Sequence, residues 1–286
     1  MKKLFLKMIA LMCVLAVLLP WAVVFAGASN VKSNDKAAVD LANIADGYVR
    51  VTYKGTSTAR LKVIIKTPTK VQYQYNLSKD EKGEVFPLSE GDGSYAVEVY
   101  TNTTGNKYAK SFSTSFDVKL SSSFAPFLNP NQSSNYTEKS ETVKKAAELT
   151  KDIEKDLDKI IAVYEYIITF TYDREKAKTV ASGYVPSVDD ILSKKKGICF
   201  DYASVMTAML RSQEIPCKLV VGYAGEAYHA WISVYTKETG WIENFILFDG
   251  KNWSRMDPTF RSSSKGSAKV QEYIGDGKNY APKYQH

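Results

Sequence analysis

Between Gly47 and Leu120 short runs of alternating apolar and polar residues succeed one another with no helical period: Tyr48 to Tyr53, Leu61 to Ile65, Val71 to Tyr75, Tyr95 to Tyr100 and Tyr108 to Val118. Turn pairs separate them at Asp46-Gly47, Lys54-Gly55, Thr67-Pro68, Lys82-Gly83 and Asp92-Gly93. A strand places successive side chains on opposite faces, so a run of period two buries one face and wets the other. Strands recurring about every 8 to 12 residues predict an antiparallel β-sandwich. The region holds no histidine or cysteine. Packing or ligand display is therefore its expected job, with catalysis placed elsewhere.

The pattern changes after a stretch rich in Ser, Asn and Pro, residues 121–136, which reads as a linker. Leu149, Ile153, Leu157, Ile160, Ile161, Val163, Tyr164, Ile167 and Ile168 recur at steps of three and four, which predicts one apolar stripe along a helix ending near Thr169 to Asp173. Ser187 with Asp190 three residues on predicts a capping box opening a short helix through Leu192. A further helix is expected from Cys199 to Gln213, with Ala203, Met206, Met209 and Leu210 on one face. Strand-like runs follow at Lys218 to Ala224, Tyr228 to Tyr235, and Phe245 to Phe248 continuing towards Asp257.

The first 28 residues carry Lys2, Lys3 and Lys7, an apolar run from Met8 to Phe25, and small residues at Ala26 and Ala28. This is the pattern of a secretory signal peptide cleaved after Ala26 or Ala28. An uncleaved anchor is the alternative, because the run approaches the roughly 20 residues that span a bilayer; Pro20 and the small residues favour cleavage. The expected product is secreted or cell-wall associated, with no stable membrane anchor. Loss of the three leader lysines takes the formal charge from +7 to +4. Lys194-Lys195-Lys196 is too short and isolated to suggest nucleic acid, and it falls at a helix end, where cations are favoured. Domain bounds are thus a leader over 1–28, a β-sandwich-like domain over 29–120, the linker, and an α+β domain over 137–286.

Two cysteines then remain, Cys199 and Cys217, far too few for a disulfide scaffold. Cys217 opens the apolar run of Leu219, Val220 and Val221 and reads as a small hydrophobe in a strand. Cys199 follows Gly197-Ile198 at a helix start, where free amide N–H groups and the helix dipole favour a thiolate. A glycine there would let the backbone approach a substrate carbonyl, and the Cys199 amide could donate to an oxyanion. A buried structural cysteine is the other reading. Apart from the C-terminal residue, the chain has one histidine, His229. Alternation groups His229 with Trp231, Ser233 and Tyr235, opposite Ala230, Ile232 and Val234. The apolar group is expected to be buried, and the His229 group to face the start of the Cys199 helix. Asp257 precedes Pro258, which favours extended geometry at a strand end as well as a turn.

Gly197-Ile198-Cys199-Phe200-Asp201-Tyr202-Ala203, then Gly222-Tyr223 leading to His229-Ala230-Trp231, then Met256-Asp257-Pro258-Thr259, closely resemble the transglutaminase-like superfamily of papain-like cysteine enzymes. The resemblance covers about residues 140 to 282 and is silent on the β-rich half. It implies a papain-like domain in which a helix-borne cysteine packs on an antiparallel sheet, with Cys199 as nucleophile, His229 as general base and then acid, and Asp257 holding the imidazole tautomer. Thioester chemistry on carboxamides of proteins or peptides follows, resolved by water or by an amine. The same motif fits a cysteine peptidase or amidase acting on cell-wall peptides, and a noncatalytic surface-binding module is a third reading. Tyr172 is the resemblance's candidate for a second oxyanion donor. Phe200, Tyr228 and Trp231 are candidate walls of the acyl channel, Trp231 being equally suited to a core. Animal members add calcium control, but Asp249-Gly250-Lys251-Asn252 is an ordinary turn and no EF-hand loop is present, so neither metal nor cofactor is expected.

Overall fold

The computed structural model describes residues 30–224, 226–243, 247–248, 253–254 and 280–286. The expected leader lies outside them, as does Asp257. Eight strands come first: β1 (Val31–Ser33), β2 (Ala37–Asp40), β3 (Tyr48–Tyr53), β4 (Leu61–Lys66), β5 (Gln72–Leu77), β6 (Glu84–Pro87), β7 (Gly93–Thr104) and β8 (Lys107–Val118). They pair antiparallel into two four-stranded sheets, in the orders β1-β2-β3-β6 and β5-β4-β7-β8.

Alternation decides what each strand buries. Val49, Val51 and Tyr53 point inward from β3, and Leu61, Val63 and Ile65 from β4. Both sets join one cluster with Phe86, Tyr95, Val97 and Val99, so the two sheets share a core. Each such aliphatic side chain contributes about 1.5–3 kcal/mol over its exposed state. Across the sheet, Glu98 accepts from Lys66 Nζ at 3.0 Å, Lys110 Nζ at 2.7 Å and the Tyr100 hydroxyl at 2.7 Å. Burial pushes this carboxyl up, but the bonds from Lys110, Tyr100 and Lys66 outweigh it and hold it at about 2.

The second half opens with helices α1 (Glu141–Thr150) and α2 (Asp156–Ile167), then β9 (Thr171–Tyr172), α3 (Arg174–Thr179), α4 (Val188–Lys194), β10 (Lys196–Gly197) and α5 (Cys199–Arg211). Strands β11 (Cys217–Ala224), β12 (Ala227–Thr236), β13 (Gly240–Ile242), β14 (Leu247–Phe248), β15 (Trp253–Ser254) and β16 (Tyr280–Gln285) complete it. One antiparallel sheet runs β13-β12-β11-β16. Helix α5 packs on it, and every residue from Asp201 to Arg211 is buried. No helix among the described residues is long and apolar enough to cross a membrane.

Three sequence expectations differ locally. The single stripe from Leu149 to Ile168 belongs to two helices, because Lys155 is extended (φ −78°, ψ 131°) and a new helix begins at Asp156. Its acidic first turn, Asp156 and Asp158, suits a helix N-terminus. Ser187 does precede α4, but its side chain makes no cap bond. The neighbouring Asp189 is turned away to accept from the Thr142 amide at 2.9 Å and hydroxyl at 2.7 Å, so it caps the start of α1 instead. Residues 121–136 connect the halves as a packed strap rather than a free tether. Ala125, Phe127 and residues 131–134 are buried; Gln132 donates from its amide to Val85 O at 2.9 Å, and Ser134 Oγ donates to Ser204 O at 2.8 Å.

Candidate active site

Helix α5 begins where Ile198 turns extended (φ −105°, ψ 176°), and Cys199 is its first residue. The Asp201 carboxylate reaches back to accept the Ile198 amide at 2.9 Å, satisfying a donor that the helix leaves unpaired. That close return explains Gly197. A Cβ there would stand 2.7 Å from both Cβ and Oδ2 of Asp201, so the returning carboxylate itself requires a glycine at this position. Gly197 pairs in parallel with Tyr172, and its carbonyl accepts from the Asp173 amide at 2.7 Å, which fixes β9 beside the helix start.

The thiol of Cys199 is partly buried and free, as is the fully buried Cys217. Burial pushes the Cys199 pKa up, with the charge of Asp201 acting in the same direction. Hydrogen bonds from the backbone amides of Ala230, Phe200 and Cys199 itself pull the other way and lose. Burial thus outweighs the backbone donors that the helix start and β12 place around the thiol. Burial pushes the Cys217 thiol further, to about 11, as suits a core residue.

The Ala230 amide locates the nucleophile relative to the histidine. It belongs to the peptide that joins His229 to Ala230, so the thiol sits against β12 at the position that carries His229. His229 is partly buried and stands opposite Gly222 on β11. The apolar face of β12 is buried as expected. Helix α5 packs on the face of Ala230, Ile232 and Val234, which share its core cluster. Trp231 and Ser233 lie on the other side, yet they too are buried, and Tyr280 meets the Trp231 ring edge-on at 5.4 Å. The body of the cysteine helix thus does not face the mixed side of β12; its first residue reaches the strand at the His229–Ala230 peptide.

The remaining candidates separate. Tyr172 lies within electrostatic reach of the thiol: burial raises its pKa and the charge of Cys199 adds to the rise. Phe200 is partly buried, its ring 6.5 Å from Tyr184. Tyr228 is 58% exposed and meets Tyr223 across the hairpin at 5.4 Å, a surface pair. Trp231, at 1% exposure, is core and does not wall an open channel. Asp257 falls outside the described residues. Sequence reasoning quoted Asp201 but gave it no role, and it passed over Lys176 and Tyr184, which both bond its carboxylate. The position of Asp201 three residues after Ile198 is a capping signal that could have exposed the first contact. Among the described residues no group of three His, Cys, Asp or Glu side chains could hold a metal ion.

Residues 143–258 match the family model of the transglutaminase-like superfamily, a span that includes Cys199, His229 and Asp257. Over 118 residues the chain is 32% identical to the uncharacterized protein YebA of Bacillus subtilis, covering 34% of this chain and 16% of that protein. Over 107 residues it is 32% identical to a protein-glutamine gamma-glutamyltransferase of Pseudomonas aeruginosa, covering 32% of this chain and 14% of the relative. The chain therefore spans only about a sixth or less of these curated relatives. A solved structure from Cytophaga hutchinsonii, provisionally assigned as a cysteine protease, aligns at TM-score 0.41 and 17% identity over 80% of this chain and 82% of that one.

Proposed function

Residues 143–258 form a domain of the transglutaminase-like superfamily, and from that premise we propose that the chain catalyses cysteine-dependent acyl transfer on carboxamides of extracellular or cell-surface proteins and peptides. The observation that carries this reading is the Cys199 thiol held at a helix start against the His229–Ala230 peptide, with Tyr172 close by.

Burial favours the uncharged thiol, so this reading gives a base the task of removing its proton. His229 takes its proton, and the sulfur attacks the carboxamide carbon to give a tetrahedral oxyanion. The Cys199 amide and the Tyr172 hydroxyl are the proposed donors to that oxygen. Collapse breaks the C–N bond; His229 returns the proton to the departing nitrogen, ammonia leaves, and a thioester remains. A lysine amine or a water, deprotonated by His229, then attacks the thioester and releases Cys199. Asp257 is assigned to hold the imidazole by its second nitrogen, after the logic of a nucleophile, a base and an orienting carboxylate.

The test incubates the purified protein with casein and a fluorescent primary amine. Incorporation is expected from the wild type and abolished in Cys199→Ala, while His229→Ala should lose about a hundredfold to ten-thousandfold with its circular dichroism unchanged. Backbone cleavage of a peptide library without incorporation or deamidation would replace this reading with a peptidase. A wild-type protein that incorporates nothing, deamidates nothing and cleaves nothing would end the enzymatic reading.

A further inference from the structure

The carboxylate of Asp201 opposes the chemistry proposed two residues before it. The Asp201 side chain is wholly buried at the third position of α5, and its negative charge disfavours a thiolate at the first. Like charges within about 4–6 Å commonly shift one another's ionisation by a unit or more. Three donors hold the carboxylate: the Ile198 amide at 2.9 Å, the Tyr184 hydroxyl at 2.8 Å and Lys176 Nζ at 2.6 Å. Of these described partners Lys176 alone carries a charge. Its ammonium also contacts the Tyr184 hydroxyl at 2.8 Å, so one cation closes a triangle of three side chains from α3, from the segment before α4, and from α5.

We propose that Lys176 is a positioning residue whose ammonium neutralises Asp201 and thereby lets a thiolate form at Cys199 on the same helix start. The proposal rests on Cys199 being the nucleophile. Lys176 is suited to this role, since burial alone would weaken its charge, but the bonds to Asp201 and Tyr184 outweigh that and strengthen it. Tyr172 from β9 is a further ionisable group within electrostatic reach of the thiol and of Asp201, with Arg174 at the start of α3 acting on it; His229 lies on β12 at the peptide that the thiol meets.

The experiment measures the rate of Cys199 alkylation by iodoacetamide in the full chain across the titration range of the thiol, with the labelled cysteine identified by peptide mass. Lys176→Met should move the midpoint up by about one pH unit, roughly tenfold slower labelling near neutrality. Lys176→Arg should keep the wild-type midpoint. The double variant K176M/D201N, which lacks both charges, should return to the wild-type midpoint or below. A purely structural role gives the opposite result in that variant, because two contacts are then lost instead of one. The proposal is overturned by a wild-type midpoint in a folded Lys176→Met, or by a double variant that stays shifted. Lys176→Gln, which keeps a donor but not the charge, replaces Lys176→Met if the latter does not fold. Alkylation uses no acyl donor, so the charge coupling is read even where amine incorporation fails, and its absence leaves the result of Cys199→Ala standing.

Discussion

Two histidines of this chain occupy opposite environments, and the contrast gives a pH dependence that does not involve catalysis. His286 is 8% exposed; its Nδ1 lies 3.0 Å from the Tyr75 hydroxyl, and its ring meets those of Tyr73 and Tyr75 edge-on at 5.6 Å each. Burial, reinforced by the charge of Arg211, pulls its pKa down to about 3. The unfolded chain would titrate this ring near 6.5. Between those values the unfolded state binds a proton that the folded state refuses, so the neutral ring's contribution is complete above about pH 6.5 and is lost as pH falls towards 3. Roughly 5 kcal/mol of stability depends on that window. Urea unfolding followed from neutral pH down to about pH 4 should show the decline, and His286→Gln should flatten it. Glu98, held at about 2, loses its stabilising charge in the same direction but lower in pH, so the wild-type-minus-variant difference isolates the histidine. An equal acid slope in both proteins would refute the assignment. His229, by contrast, is only partly buried, and the amide of the peptide that follows it donates to the Cys199 thiol.

At the level of elements, the clearest constraint is where β16 crosses β11. The ladder shifts register between Val221 and Gly222, and a Cβ on Gly222 would fall 2.2 Å from Ala281 O and 3.0 Å from both Pro282 Cα and the Trp231 ring. Two of those obstacles are backbone and cannot swing aside. Gly222→Ala is therefore expected to lift β16 and cost about 1–3 kcal/mol, read as a lower urea midpoint together with faster hydrogen exchange in Tyr280 to Gln285. Normal stability and exchange would mean that β16 tolerates the displacement. This crossing also shows what the sequence withholds. The short strands from Tyr48 to Val118 were legible because one buried face imposes period two, and the start of α5 because Gly197-Ile198 precede a run with Ala203, Met206, Met209 and Leu210 on one face. The break between α1 and α2 was not, since an apolar stripe runs on through a local change of backbone. The orientation of β12 was not either: its alternation was plain, but both faces are buried, so polarity could not say which one met α5. The partners of Asp201 were hidden for another reason, as Lys176 lies 25 residues away and only the tertiary fold brings it near. Nor does Tyr280 to Gln285, with Pro282 and Lys283 in its middle, read as a strand on its own.

For the molecule as a whole, one buried guanidinium gathers the end of α5, the strap, β11 and the residue after β16 at a single point. Arg211, at the end of α5 and 3% exposed, donates from Nη1 to Asn129 O in the strap at 2.7 Å. Its Nε and Nη2 donate to Cys217 O at 2.9 and 2.7 Å, and Nη2 also donates to His286 O at 2.6 Å. The helix that begins with Cys199 is thus tied at its far end to the strap, to β11 and to the residue after β16. His286 in turn packs on Tyr75 in the N-terminal sheets, and Ser89 Oγ donates to Gln285 O at 2.6 Å. Removing the guanidinium takes a donor from Asn129 O, Cys217 O and His286 O, of which His286 O keeps the Leu219 amide at 3.0 Å, and a buried acceptor left without a donor costs about 1–3 kcal/mol. Arg211→Met should destabilise the chain by at least that much, and Arg211→Lys should not restore it, because one ammonium cannot reproduce the fork that spans Asn129, Cys217 and His286. Calorimetry gives the sharper reading. If the link couples the halves, the wild type unfolds in one transition, and Arg211→Met separates it into two, with the β-rich half keeping its melting temperature and the Cys199 half falling. A variant that still melts in one transition, merely at a lower temperature, would assign the coupling to the aromatic contacts of His286 and Tyr284 with β5 instead.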